Sequence, residues 1–180
     1  KWFNAGKEIQ VAVNIAAQQL VSGNLAEQVD KLLEKYEIPA RLLQIELTES
    51  SLMDDTSTAI DIMHSLRARG VSLAIDDFGT GYSSLSYLQR FPLDILKIDR
   101  SFLVNQQKEL AANTNLSAGT LTKAIIALGH GLNLAVVAEG VEEKDQLAHL
   151  KDLGCDYVQG FVISKPVPAK EFEQVLANYS

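Results

Sequence analysis

Short apolar runs alternate with helix-period segments along the whole chain. "IQVAVN" (9–14), "LLQIELTE" (42–49), "VSLAIDD" (71–77), "DILKID" (94–99), "LAVVAEG" (134–140) and "DYVQGFVI" (156–163) read as six strands. The segments 24–36, 58–70, 82–91, 120–132, 142–154 and 168–179 read as helices. In the first of these, apolar positions 25, 29, 32, 33 and 36 recur at helical spacing, and the second closes on arginines and a glycine, as helix C-termini often do. Strand followed by helix, repeated, predicts parallel βαβ units rather than an antiparallel sheet. A polar stretch at 105–119 predicts the one long loop. With no linker or low-complexity segment, residues 1–180 read as one domain.

Each apolar run finishes on polar residues: Asn14, then Glu46 and Glu49, Asp76 with Asp77, Lys97 and Asp99, Glu139, and Gln159. A β/α barrel assembles its active site at the carboxyl ends of its strands, from several strands at once. An open dinucleotide-binding sheet uses one switch point instead. The pattern therefore predicts an α/β, TIM-like (β/α) barrel. Such a barrel needs eight strands and typically ~250 residues, so six of eight are expected here, with the first two absent. Trp2 and Phe3 then read as the end of a helix begun upstream.

The segment "AIDDFGTGYSSL" (74–85) sets two carboxylates side by side as a buried strand ends. One reading is a turn, where Asp is common; the other is a site for a hard divalent cation, which takes oxygen ligands. Side chains alternate along a strand, so Asp76 and Asp77 share a site only if the strand gives way between them, and Gly79 and Gly81 permit that bend. "GTGYSS" also approximates a dinucleotide fingerprint, but Ser84 replaces its third glycine and the aspartates would repel a pyrophosphate. Lys97 interrupts an otherwise buried strand and needs anionic partners, for which Asp99, two residues on, is a candidate. A structural Lys97–Asp99 pair and a catalytic lysine both remain open on pattern alone.

Composition narrows the classes. The chain is 47% hydrophobic and 22% charged, ordinary values for a globular domain. Its net charge of −7 argues against a DNA- or RNA-polymer binder, although cations can reconcile acidic residues with an anionic ligand. No apolar run approaches membrane-spanning length, and the N-terminal sequence is no signal peptide. The single cysteine, Cys155, suits a reducing compartment. His64, His130 and His149 form no metal-ligand spacing.

"VNIAAQQL", "IELTES", "AIDDFGTGYSSL", "LKIDRSFL", "VVAEGVEE" and "DYVQGFVISKPVP" together resemble the EAL domain, the bacterial cyclic-di-GMP phosphodiesterase family. The resemblance covers the whole chain in the family's order and implies an EAL-type barrel, here its C-terminal three quarters, without the segment bearing the Glu-Ala-Leu signature. It implies that Asn14, Glu46 and Asp76, together with the glutamate of that absent signature, hold one Mg²⁺ or Mn²⁺ ion and that Asp76 and Asp77 hold a second. Lys97 and Glu139 would activate the attacking water, with Glu139 also a ligand, and Gln159 would lie by the substrate. Glu49 would brace the loop, Asp99 would neighbour the lysine, and Gly79, Thr80 and Gly81 would support or contact substrate. The activity implied is hydrolysis of cyclic-di-GMP to linear pGpG by the parent protein, with these 180 residues weak or inactive alone; the alternative is a non-catalytic receptor or interaction module. The resemblance further implies a cytoplasmic domain with no membrane contact of its own, in a parent open to membrane anchoring. Homodimerisation through the DDFGTG region and upstream sensor or GGDEF-type domains also follow from it. Ala16 departs from the family, which often has Ser there.

Overall fold

Six parallel strands hydrogen-bond in chain order: β1 (Val11–Asn14), β2 (Leu43–Thr48), β3 (Ser72–Phe78), β4 (Ile95–Ile98), β5 (Ala135–Ala138) and β6 (Tyr157–Val158). The computed structural model describes residues 2–21, 24–52, 56–79, 88–103 and 119–178. The helices within them are α1 (Ala17–Val21), α2 (Leu25–Lys35), α3 (Thr56–Ala68), α4 (Thr120–Gly131), α5 (Lys144–Asp152) and α6 (Ala169–Ala177). The order never reverses, which removes the dinucleotide-binding alternative. Most of the predicted helix at 82–91 and all but the last residue of the predicted loop at 105–119 lie outside the described residues.

Alternation along the strands sorts the two faces. One side of the sheet carries Ile45, Leu47, Leu73, Ile75, Leu96, Ile98 and Val136, all buried. They join Leu20, Leu25, Val29, Met63, Leu66, Ile125 and Ile126 from the helices in one continuous core. The other side carries Gln44, Glu46, Ala74, Asp76, Lys97 and Val137, and it faces a cavity of about 370 Å³. That cavity is lined by Ala12 of β1 and also by Val158 and Gln159 at β6, so the sheet curls until its first and last strands face each other. Trp2 closes the curl: its ring lies 5.2 Å from that of Phe172 on α6, and its Nε1 donates to Glu173 Oε1 at 3.1 Å. The result is a half-barrel with helices outside and polar groups inside. Among the described residues no helix is long and apolar enough to cross a membrane.

Three expectations are refined. Phe3–Ala5 form a single 3₁₀ turn, ended by Gly6 in the left-handed conformation. The last strand is two residues long rather than eight, because the chain turns away after Val158. The helix at 142–154 begins at Lys144, where the Gln146 side chain accepts from the Glu143 amide at 3.1 Å.

The turn after β6 is fixed by contact rather than by strand pairing. Gln159 N donates to Ala138 O at 2.8 Å and Val141 N donates back to Gln159 O at 3.1 Å. A Cβ at Gly160 would lie 2.1 Å from Val141 O and 2.4 Å from Val141 N, both backbone atoms. Gly160→Ala is therefore expected to lower unfolding stability by about 1–3 kcal/mol. A urea midpoint equal to wild type would contradict this packing.

Candidate active site

The carboxyl ends of β2 to β5 bring four charged side chains into contact. Glu46 is the inward residue of β2, Asp76 of β3 and Lys97 of β4, while Glu139 follows the last residue of β5. Lys97 Nζ lies 2.7 Å from Glu46 Oε2, 2.5 Å from Glu139 Oε1 and 3.4 Å from Asp76 Oδ1. Lys97 is 3% exposed and Glu46 5%. An ammonium so buried costs several kcal/mol to desolvate, and only close, oriented anions offset that. Burial opposes the charge on Lys97, but the hydrogen bonds it donates to Glu139 and Glu46 prevail and hold its pKa above the ordinary value.

Asp99, expected as a partner of Lys97, is engaged elsewhere, since its Oδ1 accepts from Ser101 N at 2.9 Å in the turn after β4. The lysine's compensation comes from neighbouring strands rather than from its own. Parallel register made this possible and sequence distance concealed it.

The aspartate pair converges because the strand breaks its own alternation. Pairing of β3 with β4 shifts register between Ile75 and Phe78, and Asp77 has a φ of 55°. A left-handed conformation costs a residue with a Cβ roughly 1–2 kcal/mol. It swings the Asp77 carboxylate toward the same mouth as Asp76. Ligand oxygens of Asp76, Asp77 and Glu139 all lie within 4.8 Å of one another. Behind the bend, Gly79 (φ 89°) donates its amide to Glu49 Oε2 at 3.1 Å, and Glu49 N reaches Asp76 O at 3.3 Å. Glu49 is 3% exposed, so a buried carboxylate holds the loop from below.

The electrostatic balance is negative. Three carboxylates surround one ammonium, with Asp77 beside them. Burial raises the pKa of Glu139, with Asp76 and Glu46 adding to it against the pull of Lys97. Burial also raises Asp77, reinforced by Asp76 and then Asp99. An all-oxygen donor set with excess negative charge fits a hard divalent cation, which binds carboxylate oxygens at about 2.0–2.6 Å. Asp76, Asp77 and Glu139 meet that description directly. Glu46 does not stand in their cluster: Gln44 Nε2 donates to its Oε1 at 3.0 Å and Lys97 occupies its Oε2.

The remaining expected residues sit at the margins. Asn14 is exposed and lies opposite Glu46 in the β1–β2 register. Gln159 is exposed and lines the same cavity as Glu46 and Lys97. Thr80 and Gly81 lie outside the described residues. Gln44 was not anticipated, although its place two residues before Glu46 put it on the same face of the strand.

Fold and site together define a β/α-barrel domain with a lysine–carboxylate centre at the carboxyl ends of its strands. The family model of the EAL domain matches residues 1–166. The chain belongs to the EAL domain family. It is 44% identical over 179 residues to cyclic di-GMP phosphodiesterase NbdA of Pseudomonas aeruginosa, covering 97% of this chain and 22% of that protein. The chain thus spans about a fifth of the length of the curated relatives it matches. The structure of the MucR phosphodiesterase of P. aeruginosa in complex with c-di-GMP superposes with a TM-score of 0.85 at 41% identity, over 95% of this chain and 67% of that one. The EAL domain of Mycobacterium smegmatis DcpA gives 0.87 at 37% identity, over 98% and 78% respectively.

Charge balance at the centre has a pH signature. Lys97 titrates above its ordinary 10.5, so its stabilising contribution is fully present below that value and is lost as pH rises through the folded pKa. Glu139 titrates above its ordinary 4.5, so its contribution is present below that value and is lost as pH rises through the raised one. Lys97→Met leaves the carboxylates facing one another at neutral pH and is expected to cost about 3–5 kcal/mol there. The cost should shrink as pH falls, because Glu139, its pKa already raised by burial, protonates more readily without its cationic neighbour. Urea unfolding at neutral and mildly acidic pH measures it, and a pH-independent difference would refute the charge argument.

Proposed function

We propose that this domain serves metal-dependent hydrolysis of cyclic-di-GMP to linear pGpG. The observation that carries the reading is the convergence of Asp76, Asp77 and Glu139 oxygens beside a buried lysine. The similarity to proteins named as cyclic di-GMP phosphodiesterases supplies the substrate.

Asn14, Glu46 and Asp76 would hold one Mg²⁺ or Mn²⁺ and Asp76 with Asp77 a second, with Glu139 contributing to the set. Bound there, such ions would neutralise phosphate charge and favour ionisation of a water. The chain's own groups do the rest. Lys97 donates from its ammonium toward the reacting phosphate or the attacking water, at a point where burial strengthens its field. Glu139 carries a raised pKa, which brings it nearer the working pH of a general base, and takes the proton of that water. The water oxygen bonds to phosphorus as one phosphate ester bond breaks, and the proton taken by Glu139 passes, through solvent, to the departing ribose oxygen. Gln159 lines the approach. Glu49, through the Gly79 amide, keeps the aspartate turn in place.

The same reading takes the domain as the 1–180 portion of a longer cytoplasmic signalling protein, in company with sensor or GGDEF-type domains and paired with a second copy. The bifunctional name of MucR supports the GGDEF-type company. The 180 residues alone are expected to hydrolyse cyclic-di-GMP weakly or not at all. In the longer protein, Glu46→Ala or Asp76→Ala is expected to lower turnover by roughly a thousandfold, the loss of about 4 kcal/mol of barrier stabilisation. Turnover assayed by pGpG release is the measurement. Near-normal rates in either variant would dismiss the ligand assignment, and tight binding without turnover in the wild type would favour a receptor.

A further inference from the structure

Among the described residues, Gln44 is the buried neutral polar side chain on the inner wall that touches a charged member of the centre. It is 8% exposed. Its register partners are Ala12 on β1 and Ser72 on β3, both small, which leaves its amide room to turn along the strand toward Glu46. Nε2 donates to Glu46 Oε1 at 3.0 Å while Lys97 holds Oε2 at 2.7 Å. We infer that Gln44 is a positioning residue that fixes the Glu46 carboxylate for cation binding. The inference rests on the reading of Glu46 as a cation ligand.

The two partners of Glu46 differ in kind. Lys97 neutralises the carboxylate, whereas an amide N–H orients it and leaves its charge intact. A cation that takes a Glu46 oxygen from Lys97 therefore still meets a carboxylate anchored at Oε1. Without that anchor, the side chain regains rotamer freedom that binding must then remove. Buried amide donors to carboxylates are also among the stronger hydrogen bonds, because one partner is ionised. The same cavity wall carries Gln159 and Ser164, yet the bond that Gln44 Nε2 makes is to Glu46 Oε1.

The test is Mn²⁺ titration of this chain followed by electron paramagnetic resonance. Gln44→Met keeps the side-chain volume and removes the donor, so a packing role alone leaves Mn²⁺ affinity at the wild-type level. The expected result is about a tenfold loss, the lower end of the 10–100-fold typical of partners that orient a ligand. Wild-type affinity in Gln44→Met alongside weakened binding in Glu46→Ala overturns the inference and spares the proposed function. Unchanged binding in Glu46→Ala overturns both. Should Gln44→Met fail to fold, the wild-type chain still decides. The Gln44 side-chain amide resonances are expected to shift on Mg²⁺ addition in step with the Glu46 carboxylate, and static amide resonances overturn the inference.

Discussion

Three carboxylates at the ends of three different strands close on one buried lysine, and the inner half of this domain depends on that contact. None of the four groups is tolerable alone where it sits. An isolated ammonium or carboxylate buried to that degree would shed its charge or unfold its surroundings. Together they are admissible, yet they do not cancel: anions outnumber the cation, and burial, with neighbouring carboxylates adding to it, raises the pKa values of Glu139 and Asp77. A site that is both buried and still negative is prepared to accept further positive charge.

The parallel sheet makes the meeting possible. Register places Ala74 of β3 beside Glu46 and Val137 of β5 beside Lys97, so on those sides the neighbours are small or aliphatic and the long side chains reach past them. The apolar investment is made on the opposite face, where Leu47, Leu73, Leu96 and Ile98 are buried against the helices. Strand stability therefore comes from outside the curl, and the inside is free to carry groups that cost stability. The same division explains why the strained Asp77 is tolerable. A roughly 1–2 kcal/mol penalty falls at the end of a seven-residue strand paired on both sides.

Much of this was legible in the residues. Hydrophobic runs ending in acids, a lysine and a glutamine announced a barrel-type site, and the six runs match six strands in order. What escaped detection depended on contacts across strands. Lys97 lies only two residues before Asp99 in sequence, yet its partners are 51, 21 and 42 positions away, at Glu46, Asp76 and Glu139. No periodicity encodes such distances. Gln44 was hidden differently: polar residues on strands usually face solvent, and only the closure of the curl makes its side the inside. The shortness of β6 was concealed because "DYVQGFVI" keeps its apolar character after the chain has turned at Gly160 to pack against Val141.

Burial of the candidate residues falls from the centre of the sheet outward, and this ranks how each is held. Lys97, Glu46 and Asp76 stand on strands paired on both sides and are nearly sealed. Asn14 ends the edge strand β1 and Gln159 follows the edge strand β6, and both are exposed. A central residue is aimed by its strand, since the backbone around it cannot move without breaking two ladders. An edge residue has one ladder and needs something else. Gln159 has it in the paired hydrogen bonds with Ala138 and Val141 and in the close seat of Gly160. Among the described residues, Asn14 has its β2 pairing and the bond of Ile15 N to Glu46 O at 3.0 Å. The orientation of Asn14 is therefore set through β2, the strand that also carries Gln44 and Glu46, and one short strand governs three of the side chains on which cation binding is proposed to rest.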